Sequence, residues 1–152
     1  MGKAKTLSFV LELPLRVAQE GQKVLLARLE AGRQVYNACL GEARRRWDLV
    51  RQSRAYQGAL QMPRSTEEER KARARALSEA WRAHGFSDYD LQMYALKIRH
   101  GWLEAHLDAF TAQKLAARAF TAQKRVAVGQ ARRVRFKGKN QSAPGKPAIL
   151  SG

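Results

Sequence analysis

The chain has 152 residues, 29 of them Lys or Arg against 13 Asp or Glu, for a net charge of +16, and 45% of its residues are hydrophobic. That length holds one core but not a large two-lobed enzyme, and the apolar content excludes global disorder. A chain this basic repels itself until a polyanion relieves the repulsion; nucleic acid is the leading candidate, because each neutralised phosphate releases condensed counterions and solubility alone needs no net charge beyond about 8.

The charge is also skewed along the chain: Asp108 is the last acid, while Lys and Arg continue to the end. Cys39 is the sole cysteine, which excludes an intramolecular disulfide framework and a zinc ribbon. It lies on an apolar helical face and reads as a buried thiol rather than a nucleophile. There is no apolar run long enough for a membrane span, and Glu12 and Pro14 interrupt "LSFVLELPL" where a signal peptide would need a continuous apolar core. A reducing, cytoplasmic setting is expected.

In chain order, "TLSFVLELPL" (6–15) alternates, with Leu7, Phe9, Leu11 and Leu13 on one face, and predicts a half-buried strand that Pro14 stops. A strand needs a partner. The best candidate is "RVRFKGKN" (133–140), where Val134 and Phe136 point one way and Arg135 and Lys137 the other. The two ends are expected to pair, making residues 1–15 and 130–141 strands around a helical insert at 16–129. The insert opens with two helices, or one broken near Gly32. Tyr36, Leu40, Ala43, Trp47 and Val50 form one apolar stripe there. "MPRST" (62–66) is a loop. Thr66 and Glu69 have capping-box spacing, and Glu67, Glu68 and Glu69 suit the positive end of the following helix, which ends at Gly85. Ser87 and Asp90 predict a second capping box, with Phe86 and Leu91 at the two positions of a hydrophobic staple. That helix carries Leu91, Tyr94, Ala95 and Ile98, with a break at His100-Gly101. The last helix is expected over 102–128, with Leu103, Leu107 and Phe110 on one face and Gly129 just past its end. It contains "AFTAQK" at 109–114 and again at 119–124, copies that point about 80° apart on a helix; two copies are too few for a solenoid and read as chance or local duplication. Residues 142–152 are Gly-, Pro- and Ser-rich and read as a disordered tail. The predicted class is mainly α, with a core drawn from Tyr36, Leu40, Trp47, Leu91, Ile98, Leu107, Phe110 and Phe136.

Catalytic chemistry is not visible. Metal-dependent nucleases need carboxylates converging on paired cations, but Asp88 and Asp90, like Glu67, Glu68 and Glu69, sit where a helix start gives acids a structural job. His100 and His106 are six apart, not the three or four that put two ligands on one helical face. No Gly-rich phosphate loop and no Ser/His/Asp order is present, so no catalytic residue, metal site or cofactor is assigned.

The binding surface is more definite. Arg132, Arg133, Arg135, Lys137 and Lys139 crowd into one short segment. On a strand, Arg133, Arg135, Lys137 and Lys139 would share a face at about 6.6–6.8 Å intervals, close to the spacing of phosphates along a nucleic-acid strand. Asn140 and Gln141 would add hydrogen bonds to a sugar, phosphate or base. Arg44, Arg45 and Arg51, mostly off the apolar stripe of the Tyr36 helix, are secondary candidates.

The segment "RQVYNACLGEARRR" (33–46) resembles the first signature of TnpB (OrfB) proteins of insertion-sequence transposons, in which an Arg/Val-Tyr-Asn segment opens a helix shortly after an N-terminal strand. "VRFKGKN" (134–140) resembles the second, an aromatic-Lys pair flanked by basic residues after a long helix. The order of elements agrees over residues 5–141. The resemblance implies an RNA-guided DNA nuclease family in which a wedge-like β-barrel is interrupted by a helical recognition lobe and cutting belongs to a RuvC-like domain with a carboxylate triad and a zinc ribbon. This sequence has no RuvC-like half, no such triad and no zinc cysteines. The implied identity is therefore the N-terminal part of such a transposase-associated protein, cut behind its basic strand by a frameshift, a premature stop or a deliberate end point. It would hold guide RNA, an RNA–DNA heteroduplex or DNA through a partial barrel and helical lobe, with any nuclease activity supplied by a RuvC-containing partner chain. A stand-alone non-catalytic regulator of transposition and a decayed fragment are the alternatives.

Overall fold

Gln19–Gln52 form one unbroken 34-residue helix, α1, in a computed structural model that describes residues 10–14 and 16–139. Gly32 does not break it. Leu115 of a later helix packs against that glycine, 3.7 Å from where a Cβ would stand, and tertiary packing outweighs a propensity cost of about 1 kcal/mol. The helix stops at Ser53, whose hydroxyl donates to the Val50 carbonyl at 2.7 Å and accepts the Tyr56 N–H at 3.2 Å. One side chain thus closes α1 and caps α2, Arg54–Gln61.

Helix α3, Glu67–Ala83, starts with the expected reciprocal capping box: Thr66 Oγ1 accepts the Glu69 N–H, and Glu69 Oε2 accepts the Thr66 N–H at 3.1 Å. It ends in a Schellman turn. Gly85 takes φ +65°, its N–H donates to the Arg82 carbonyl, and the Phe86 N–H donates to the Trp81 carbonyl at 2.9 Å. The apolar contact that accompanies this motif is present, with the Trp81 and Phe86 rings 5.0 Å apart. Helix α4, Asp88–Ile98, is capped by Ser87. Here the box is one-sided: the Asp90 carboxylate accepts the Ser87 hydroxyl at 2.6 Å rather than the Ser87 N–H.

The helix expected over 102–128 is two helices. Trp102–His106 is a short α5, and α6 runs Ala109–Ala127. Asp108 separates them, because its carboxylate accepts both the Thr111 N–H at 2.7 Å and the Thr111 hydroxyl at 3.0 Å, a local arrangement that Asp favours at a helix start over a helix interior. The expected end at Gly129 is found, at φ +79°, with the Gln130 N–H donating to the Arg125 carbonyl at 2.8 Å.

The fold is mainly α. Helices α1 and α6 run the same way, with Gly32 against Leu115 at one end and Phe120 joining the Trp47 cluster at the other. The inward face of α6 is built from Ala112, Ala116 and Ala119, whose small side chains meet Val35, Cys39 and Ala43 of α1 and Leu91 and Ala95 of α4 in one core. Trp47 centres an aromatic cluster with Tyr56, Trp81 and Phe86 at 5.4, 5.8 and 5.5 Å. Leu40, Trp47, Leu91 and Leu107 are buried, and Tyr36 and Ile98 pack at the core's edge. Burial pushes the Cys39 thiol up to about 12, so it is inert at neutral pH.

Three expectations are corrected. Phe110 is 67% exposed and Phe136 45% exposed. The inward phenylalanine of α6 is Phe120, from the second "AFTAQK" copy: the copies are rotated by about 80°, and the Ala112–Ala116–Ala119 face points only the second toward the core. Among the described residues there is no strand. Residues 10–14 lie exposed, and 131–139 form an irregular segment, because a strand exists only through a ladder to a neighbour and neither segment has one. The rest of the opening strand and residues 140–152, including Asn140, lie outside the described residues. No helix among the described residues is long and apolar enough to cross a membrane.

The orientation of α6 is checked by urea unfolding. Phe120→Ala is expected to cost about 3–5 kcal/mol and Phe110→Ala within about 0.5 kcal/mol; equal losses would contradict the facing assigned here.

Candidate nucleic-acid interface

The basic segment turns back after Gly129 and lies along α1. Phe136 approaches Gly41, whose Cβ position is 3.9 Å from the ring. One turn earlier, the Asn37 amide donates to the Lys137 carbonyl at 2.8 Å and accepts the Lys137 N–H at 2.8 Å. A primary amide presents a donor and an acceptor side by side, so Asn37 satisfies both backbone groups of one residue, as a neighbouring strand would. Arg33, one further turn back, donates to the same carbonyl at 3.1 Å. Its guanidinium is held by Glu30 at 2.6 Å, bidentately, which lowers the Glu30 carboxyl to about 2. The Lys137 ammonium stands 5.0 Å over the Tyr36 ring, a favourable placement for a cation on an aromatic face. Arg33, Tyr36 and Asn37 thus converge on Lys137.

That docking decides which cations act together. Arg132, Arg133 and Arg135 are exposed and line one concavity. Lys137 instead borders a separate cleft between α1 and the α5–α6 junction, with Arg28 and Arg99. The single strand face predicted for Arg133, Arg135, Lys137 and Lys139 is therefore not formed, and Arg132, expected to point the other way, joins Arg133 and Arg135. Without a ladder to enforce a two-residue repeat, side-chain direction follows the local backbone. Lys139 is exposed and close enough to Glu30 to act on its charge.

The helix arginines differ from one another. Arg45 pairs with Glu42 and Arg51 with Asp48, each at 2.6 Å, so part of their charge is answered within the helix. Arg44 is exposed and makes no ion pair among the described residues. Arg46 is structural: it donates to Glu42 and to the Gly85 carbonyl at 2.9 Å, fastening the α3–α4 turn to α1.

Sequence reasoning missed a second basic feature. Lys114, Arg118 and Arg125 are exposed along one side of α6 and line a shallow groove with Thr111 and Thr121. Their spacing of four and seven residues is a helical repeat and was readable once the helix was recognised. In the sequence Asn37 stands out only as part of the Tyr-Asn segment; its hold on Lys137 leaves no local signal, since that partner lies 100 positions away.

Several acids are committed elsewhere. Glu30 and Glu42 hold arginines of α1, and Glu69, Asp90 and Asp108 cap helices. Among the described residues no group of three His, Cys, Asp or Glu is placed to hold a metal ion.

Asn37→Leu removes both hydrogen bonds to Lys137. The expected result is faster exchange of the Lys137 amide and faster trypsin cleavage within 132–139, with helical circular dichroism unchanged; a protected amide would refute the clamp. Glu30 titration reads the Arg33 contact. Its folded value lies below the ordinary 4.5, so its contribution is present above that value and is lost as pH falls through about 2. In Arg33→Gln the carboxyl, followed by NMR, is expected to rise toward the ordinary range while the Gln34 hydrogen bond and the Lys139 charge still hold it down in part. In comparisons with known proteins, no family model, no curated protein and no solved structure matches this chain.

Proposed function

We propose that this chain binds the phosphate backbone of nucleic acid and is the N-terminal, non-cutting part of a TnpB/OrfB-like transposase-associated protein, holding guide RNA, an RNA–DNA heteroduplex or DNA. The observation that carries the reading is the docking of the basic segment on α1. It brings the two sequence segments that resemble the family's signatures into direct contact, through Asn37 and Lys137, and leaves Arg132, Arg133 and Arg135 together and exposed. A group of arginines that makes no ion pair among the described residues suits phosphate oxygens, because the guanidinium fork matches them bidentately. Such contacts read shape and backbone and leave base sequence to pairing.

On this reading the bundle α1–α6 corresponds to the recognition lobe. The flanking segments would become barrel strands only against neighbouring strands that complete their ladders. Cutting would belong to a carboxylate-bearing RuvC-like domain outside these residues or on another chain, since no group of three His, Cys, Asp or Glu among the described residues is placed to hold a metal ion.

The test replaces Arg132, Arg133 and Arg135 together with Gln. Each lost phosphate contact removes about 0.7–0.9 from the slope of log affinity against log salt. The triple variant is expected to bind RNA more weakly, with a slope flatter by roughly 2–3. A folded triple variant with unchanged affinity and slope would reject this site.

A further inference from the structure

The outer face of α6 joins three features that the fold does not require. Phe110 is 67% exposed, although its counterpart Phe120 supplies the aromatic ring that the core uses. Lys114, one turn on, holds its ammonium 5.1 Å from the Phe110 ring centre. Beyond it, Arg118 and Arg125 continue the line along the groove that Thr111 and Thr121 share. Lys114 and Arg118 are about 6 Å apart along the axis and Arg118 and Arg125 about 10 Å. None of the three cations has an acidic partner among the described residues, and α6 itself contains no acid.

We infer that this face is a track for single-stranded nucleic acid, separate from the Arg132–Arg133–Arg135 concavity. Lys114, Arg118 and Arg125 contact phosphates along one strand, and an unpaired base stacks on Phe110. A charged groove beside an exposed aromatic is the arrangement that holds single strands without reading sequence. A duplex keeps its base faces stacked inside and offers Phe110 nothing, so the surface discriminates unpaired from paired strands. The shared chemistry is a phosphodiester strand with a free base face, which RNA and DNA both supply. The inference rests on the nucleic-acid reading above and specifies which form of nucleic acid this second surface takes.

Fluorescence anisotropy on the full chain tests it, with a single-stranded RNA, a single-stranded DNA of the same sequence, and the corresponding duplexes. Lys114→Gln, Arg118→Gln and Arg125→Gln combined are expected to flatten the single-strand salt slope by about 2. Phe110→Leu keeps an apolar helix-forming residue at an exposed position but removes the ring. It is expected to weaken single-strand binding roughly ten-fold and leave duplex binding unchanged. RNA and DNA strands losing affinity alike would support the stated shared chemistry; loss with only one would support the track and assign its sugar preference. If both α6 variants bind single strands as the unmodified chain does while the Arg132–Arg133–Arg135 variant loses affinity, the track is refuted and the nucleic-acid reading stands. If Phe110→Leu weakens single-strand and duplex binding equally, stacking is refuted. If the unmodified chain binds none of the four probes, both readings fall.

Discussion

The ring of Phe86 is where the helices meet, and the rest of the architecture depends on its burial. It is 1% exposed and touches Trp47 of α1, Trp81 of α3 and Phe120 of α6, at 5.5, 5.0 and 5.1 Å. It sits in the turn that leads into α4. Offset and edge-on aromatic pairs of this kind add to the area they bury. The position is set by backbone as much as by side chain: Gly85 supplies the left-handed residue of the Schellman turn, and Arg46 fixes the Gly85 carbonyl to α1. A Cβ at Gly85 would meet the Arg46 guanidinium at 3.2 Å.

The same helices determine where charge is left over. Many of the acidic side chains are spent close to home: Glu69, Asp90 and Asp108 cap helices, and Glu30, Glu42, Asp48 and Glu67 pair with cations three or four residues away along a helix. Exposed pairs of that kind contribute little stability each, but they remove negative charge from the surface field. Among the cations without an ion pair among the described residues, Arg132, Arg133 and Arg135 share the concavity at 132–135 and Lys114, Arg118 and Arg125 share the groove along α6. Both come from the part of the chain that follows the last acid, Asp108. One-signed fields of this sort raise the local concentration of a polyanion and speed its encounter.

The docked segment 131–139 links core to surface. Val134 packs against the core, Phe136 lies over α1 beside Gly41, and Asn37 occupies both hydrogen-bonding groups of Lys137. The irregular backbone is thus positioned by side chains rather than by a sheet, which leaves the intervening arginines pointing outward.

Much of the helical layout was legible in the amino-acid order because its signals are local. Thr66 with Glu69, Ser87 with Asp90, and Gly85 and Gly129 act within a few residues of themselves, through capping hydrogen bonds and left-handed backbone that need no distant partner. The apolar stripe from Leu40 to Val50 is likewise a property of one helix. Only the tertiary structure decided the rest. Gly32 stays helical because Leu115 packs on it. Phe120 rather than Phe110 is inside because the alanine face of α6 selects one of two identical motifs. Residues 131–139 are not a strand because pairing depends on a neighbour, and the neighbour they meet is the Asn37 side chain on a helix. Local hydrogen-bond chemistry is written in adjacent residues, whereas the choice between equivalent faces and partners is made by what lies across the core.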